Sequence, residues 1–165
     1  MRIETIVVGP LDTNCYLVEK NNEVIIIDPG DDFNKIKEAI GDRKVVSCLL
    51  THAHFDHIGA LDQVLSYYKL KVNEYKGDTF SFEKINTPGH TDDSVSFYFK
   101  EEKKMFVGDF IFYHGIGRTD LGGSDAEMKN SLEMMKAYPN DITLYPGHGP
   151  STMLKEEKNY FSYYD

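Results

Sequence analysis

The sequence predicts an α/β fold rich in sheet. Short β-branched or alternating segments crowd the first third of the chain, and later strand-like segments alternate with helical ones. No linker, low-complexity tract or repeat of about 20–50 residues interrupts the 165 residues, so a single domain over 1–165 is expected. The hydrophobic share of 41% supplies a core and excludes general disorder.

Residues 2–8, 14–19 and 23–27 read as the first strands, parted by Gly9-Pro10 and by Asn21-Asn22, a hairpin turn. Asp28-Pro29-Gly30 ends the third strand. Over 33–40, Phe33, Ile36 and Ile40 share one helical face and Gly41 caps it. The continuous apolar run 45–50 reads as an interior strand buried on both faces. A loop over 52–57 and a helix over about 59–70 follow. Strands return at 79–85, 95–99 and 105–107. Ser124-Asp125-Ala126-Glu127 is a capping box for a helix whose apolar face is Met128, Leu132, Met134 and Met135. Residues 142–145 make a last short strand.

Eighteen basic against 27 acidic residues give a net charge of −9, which disfavours nucleic acid as the partner and suits a protein that holds cations. The longest uncharged apolar runs, such as 24–27 and 48–50, are far too short to span a membrane. No export signal follows Met1-Arg2, and Cys15 and Cys48 sit in apolar segments, reduced and buried. A cytoplasmic protein is expected.

Three of the six histidines fall in Thr51-His52-Ala53-His54-Phe55-Asp56-His57. In an extended segment His52, His54 and Asp56 would share a side and His57 would turn toward a second centre. Imidazole and carboxylate are the donors that zinc, iron and manganese accept. Gly89-His90, Gly108-Asp109 and Gly147-His148 repeat one pattern, a small residue before a donor at a strand end. The seven donors exceed what one tetrahedral zinc needs and suit two metals sharing a carboxylate.

These segments, with Thr87-Pro88-Gly89-His90-Thr91 and Tyr145-Pro146-Gly147-His148-Gly149-Pro150, resemble in order the ligand set of the metallo-β-lactamase superfamily. The stretch Pro10-Leu11-Asp12-Thr13-Asn14-Cys15-Tyr16 and Asp28-Pro29-Gly30 resemble its N-terminal strands. Gly115-Ile116-Gly117-Arg118-Thr119-Asp120-Leu121 narrows the likeness to the glyoxalase II-like hydrolases, especially the short single-domain group. The resemblance implies a four-layered αββα sandwich with two divalent ions, zinc first, with iron or manganese as alternatives. Carried over by position, His52, His54 and His90 would hold one metal; Asp56, His57 and His148 would hold the other; Asp109 would bridge them. Two departures stand out. The link from Leu70 to Thr87 is short, and only 15 residues follow Pro150, where glyoxalase II carries a helical domain for glutathione. Weak selectivity for the thiol half of the substrate is therefore expected. Asp120 also stands where glyoxalase II usually has an aromatic residue.

The implied activity is hydrolysis of small thioesters such as S-lactoylglutathione by a metal-activated hydroxide, with Asp56 and Asp109 orienting the nucleophile. The protein would act as a monomer or small homo-oligomer. Arg118 either binds a substrate carboxylate or forms a structural salt bridge. Asp28 either supports a ligand histidine or caps its turn. Tyr113 and His114 lie near the mouth or serve the loop. Tyr160, Phe161, Tyr163 and Tyr164 line a thiol groove or dock on the core. Alternatives are a mononuclear iron persulfide dioxygenase using His52, His90 and Asp109, and a non-catalytic metal or ligand sensor on the same fold.

Overall fold

Asn21 and Asn22 take left-handed backbone, with φ of 53° and 64°. Asparagine tolerates that region, and the two residues close a tight hairpin between β2 (Thr13–Lys20) and β3 (Glu23–Ile27). The computed structural model describes residues 1–164. It resolves two compact units, Met1–Ser81 and a second from Phe82 onward.

In the first unit, β1 (Arg2–Val8), β2, β3 and β4 (Lys44–Leu49) form a sheet in that order. The first three pair antiparallel, while β3 and β4 run parallel across α1 (Phe33–Ile40). Ile6, Val8, Cys15, Leu17, Val24, Ile26 and Cys48 on the sheet pack with Ile36, Ile40 and Val64 from the helices. β4 is the last strand in the order, not an interior one. Its outer side is covered by 72–74: Asn73 N donates to Cys48 O at 2.8 Å and Ser47 Oγ donates to Glu74 O at 2.7 Å. The expected helix over 59–70 is α3 (Leu61–Tyr68), and the expected loop over 52–57 is not wholly loop, because the chain makes a short helix there, α2 (Phe55–Ile58). Cys15 and Cys48 are free and fully buried, and burial pushes both thiols up so that they stay neutral.

In the second unit the sheet runs β11-β10-β7-β6-β5. Its strands are β5 (Glu83–Asn86), β6 (Val95–Phe99), β7 (Lys104–Gly108), β10 (Thr143–Pro146) and β11 (Thr152–Met153). β5 keeps only residues 83–85 of the expected strand at 79–85 and extends to Asn86; upstream, Phe80 N donates to the Tyr75 hydroxyl rather than to a ladder. β11, which follows the strand expected to be the last, a ribbon of β8 (Ile111–Phe112) and β9 (Gly115–Ile116), α5 (Leu154–Lys158) and a 3-10 turn (Phe161–Tyr164) were not anticipated. They are too short to leave a periodic signal.

α4 (Asp125–Met135) starts at Ser124, whose side chain accepts from Glu127 N at 3.2 Å. Met128, Leu132 and Met135 enter the core, but Met134 is 36% exposed, since it lies off the stripe set by the 3.6-residue turn. Met135→Ala should therefore cost about 2–5 kcal/mol and Met134→Ala less than about 0.5. Urea denaturation of the two variants checks this.

Each sheet has one parallel pair, and this positions the chemistry. β3 and β4 end together at Asp28 and Thr51, and β7 and β10 end together at Asp109 and Gly147. β6 begins beside the end of β7, so the loop carrying His90 lies at that same end. Loops beyond the carboxyl ends of parallel strands are where α/β folds collect reactive groups.

Candidate metal centre

In the first unit the loop after β4 is tied to the end of β3 through one buried carboxylate. Asp28 accepts from Thr51 N at 2.8 Å, from Thr51 Oγ1 at 2.6 Å and from His57 Nδ1 at 2.9 Å. A carboxylate only accepts, so His57 carries its proton on Nδ1 and presents the Nε2 lone pair. The Thr51 hydroxyl spends its single proton on Asp28. At 3.1 Å it is therefore the acceptor for His52 Nδ1, and His52 takes the same tautomer. Of the two readings of Asp28, support of a histidine is the one the structure contains.

His52 is buried, and its ring lies 5.0 Å from that of half-buried His54 and 4.1 Å from that of His57. Asp56 does not join His52 and His54 as alternation along an extended segment predicts. The chain turns helical at Phe55, so Asp56 and His57 become neighbours, with Oδ2 and Nε2 3.3 Å apart. Thr13 Oγ1 donates to Asp56 Oδ2 at 3.1 Å. Gly30 allows this seating, because a Cβ there would overlap the carbonyl oxygen of Asp56.

In the second unit Asp109 follows β7 and is buried. Its Oδ2 lies 3.4 Å from Nε2 of His90 and 3.4 Å from Nε2 of His148. One carboxylate thus faces two imidazoles. His90 Nδ1 donates to the backbone oxygen of Arg118 at 2.7 Å, so its Nε2 too presents a lone pair. The ring of His148 meets Phe112 edge-on at 6.2 Å.

The other singled-out residues have structural partners. The Arg118 guanidinium is exposed and forks onto Asp120 at 2.6 and 2.7 Å. That fork holds the Asp120 carboxyl down at about 2. His114 sits in the turn of the ribbon at φ 56°, stacked on Tyr113, with its amide bound to Glu157 and its ring to Glu156. Phe161 docks in the core and Tyr164 packs against it, while Tyr163 is exposed. Sequence reasoning missed Thr51, Thr13 and the Arg118 carbonyl. The first two lie within quoted motif segments, but a hydroxyl does not announce which carboxylate it will meet, and the third is a backbone atom that no residue type announces.

Chemically, the donors are neutral imidazoles and carboxylates, which zinc, iron and manganese accept. Thiolate is not among them, since both cysteines are buried and neutral. Oxygen partners on Nδ1 of His52, His57 and His90 are the arrangement that orients metal-binding histidines.

The sequence profile of the metallo-beta-lactamase superfamily matches residues 8–84 and 69–148, a span that includes all seven donors. The chain is 32% identical to the hydroxyacylglutathione hydrolase GloC of Haemophilus influenzae, over 96% of this chain and 95% of that one. Among solved structures it superposes with a TM-score of 0.91 on the B3 metallo-beta-lactamase BLEG-1, at 29% identity and 99% coverage of both chains. It also matches the protein TTHA1623, solved in a di-iron-bound form, with a TM-score of 0.84 and 29% identity over 93% of this chain and 96% of that one.

Proposed function

The chain belongs to the metallo-beta-lactamase superfamily and has its fold, and from that premise we propose that it is a metal-dependent hydrolase of small thioesters. In this reading two divalent ions are held, one by His52, His54 and His90 and the other by Asp56, His57 and His148, with Asp109 shared. The carrying observation is the oxygen partner on Nδ1 of each of His52, His57 and His90, which holds the proton there and leaves three Nε2 lone pairs as ready donors. The similarity to GloC over nearly both full lengths supports the thioester class, and the di-iron relative supports two ions and admits iron beside zinc.

When bound, two such ions polarise a carbonyl oxygen and lower the pKa of water toward about 7. The residues do the rest. Asp109, facing His90 and His148, would balance cationic charge. Asp56, steadied by Thr13, accepts a hydrogen bond from the nucleophile and aims it. Asp28 and Thr51 keep the histidine protons on Nδ1, away from the reacting side.

The test is elemental analysis and oxygen uptake of the protein as purified, coupled to a thioester panel on the zinc-loaded protein. Two equivalents of metal and release of thiol are expected. Full loading with no thiol released would overturn the reading, and a single iron with oxygen uptake would replace it by the persulfide dioxygenase.

The same panel tests Arg118. Its guanidinium is engaged by Asp120, so Asp120→Asn should free it and lower KM for acidic thioesters by roughly 3–10-fold, while Arg118→Ala should raise it. Neutral esters should respond to neither. Because the Asp120 pKa is depressed, the ion pair is present above the ordinary carboxylate range and is lost only as pH falls through about 2. It should therefore add no pH dependence to KM near neutrality.

A further inference from the structure

Gly117 follows the β8–β9 ribbon, and its amide donates to Phe110 O at 3.1 Å. The turn lies so close to Asp109 that a Cβ on residue 117 would overlap the Asp109 carbonyl oxygen. That Cβ would also stand 2.9 Å from the carbonyl carbon and 3.2 Å from His90 Nδ1. Gly117 has no positive φ, so what the position demands is space and not backbone freedom. The next carbonyl, that of Arg118, is the one that accepts from His90 Nδ1 at 2.7 Å.

We propose that Gly117 is a positioning residue for the metal site. Its missing side chain lets the turn close on Asp109, which delivers the Arg118 carbonyl to His90 and fixes that histidine's tautomer. One residue without a side chain thus sets two ligand-bearing loops at once. The inference rests on the metal reading above and deepens it. It also assigns Arg118 a role that its side chain does not perform, since the guanidinium is turned to Asp120.

Two neighbouring positions make the test sharp. At Gly115 a Cβ would meet only Phe112 Cβ, at 4.0 Å, and the backbone there is ordinary, so alanine fits. At Arg118 alanine keeps the carbonyl. Gly115→Ala, Gly117→Ala and Arg118→Ala are compared with wild type by metal retention against a chelator and by the absorption spectrum of the cobalt-substituted protein. Gly117→Ala should bind metal roughly 10–100-fold more weakly and show an altered cobalt spectrum. Gly115→Ala and Arg118→Ala should match wild type in both. Wild-type retention in Gly117→Ala, or equal losses in Gly115→Ala or Arg118→Ala, would overturn the inference alone. A wild type that binds no divalent ion would overturn the metal reading and this inference with it. Should Gly117→Ala fail to fold, long-range proton–nitrogen spectra of zinc-loaded wild type decide. A hydrogen-bonded proton on His90 Nδ1 supports the inference, and its absence overturns it.

Discussion

Replacing Asp109 by alanine should strip metal from both proposed positions and lower kcat/KM by more than about 100-fold. The expectation follows from one oxygen: Oδ2 lies 3.4 Å from Nε2 of His90 and equally far from Nε2 of His148, the two histidines assigned to different ions. Histidine 148 is the control, because it belongs to one group only. His148→Ala should lose about half the metal, whereas Asp109→Ala should lose nearly all. Asp109→Asn is the intermediate case: the amide keeps one acceptor and turns the other into a donor, so one ion at most should remain. Elemental analysis of the three variants after identical loading checks the order. A dinuclear Asp109→Ala would remove Asp109 from the shared role, and a fully dinuclear His148→Ala would remove His148 from the second group.

The candidate donors stood out in the sequence because histidine and aspartate in so dense a cluster carry their own chemistry. Their grouping was harder to read. Alternation along an extended segment joined Asp56 to His52 and His54, but the chain becomes helical at Phe55, and about 100° of rotation per residue brings Asp56 beside His57. Strands with a strong local signal, such as the asparagine hairpin and the apolar run ending in Leu49, stand close to where they were expected. That this run lies at the end of its sheet's strand order could not be read from composition. Cys48 and Leu49 are buried there, and burial looks the same in the sequence whatever element supplies the cover. The parallel pairing of β3 with β4 joins residues far apart in the chain and brings Asp28 to Thr51. No local pattern encodes that meeting, so the role of Asp28 stayed open until the register was known.

Asp28 then yields the second large effect. The residue is buried, takes left-handed backbone at φ 56° and accepts three hydrogen bonds, one of them from His57. Asp28→Ala leaves two donors of Thr51 and one of His57 without an acceptor and puts alanine in the left-handed region. It should destabilise the metal-free protein by about 3–5 kcal/mol. Asp28→Asn separates stability from tautomer. Asparagine has nearly the same size and tolerates the backbone, so it should cost only about 1–3 kcal/mol. If its oxygen keeps the Thr51 amide, its NH2 group faces the Thr51 hydroxyl and His57 Nδ1. Histidine 57 must then accept on Nδ1 and carry its proton on Nε2, the atom proposed to face the metal. Binding at the position of Asp56, His57 and His148 should weaken by roughly 10–100-fold in both variants, although their stabilities differ. Chelator competition and thermal unfolding of the metal-free proteins separate the two quantities. A merely structural Asp28 would make metal loss follow stability, with Asp28→Asn nearly normal; a tautomer-setting Asp28 makes the better-folded variant no better a binder.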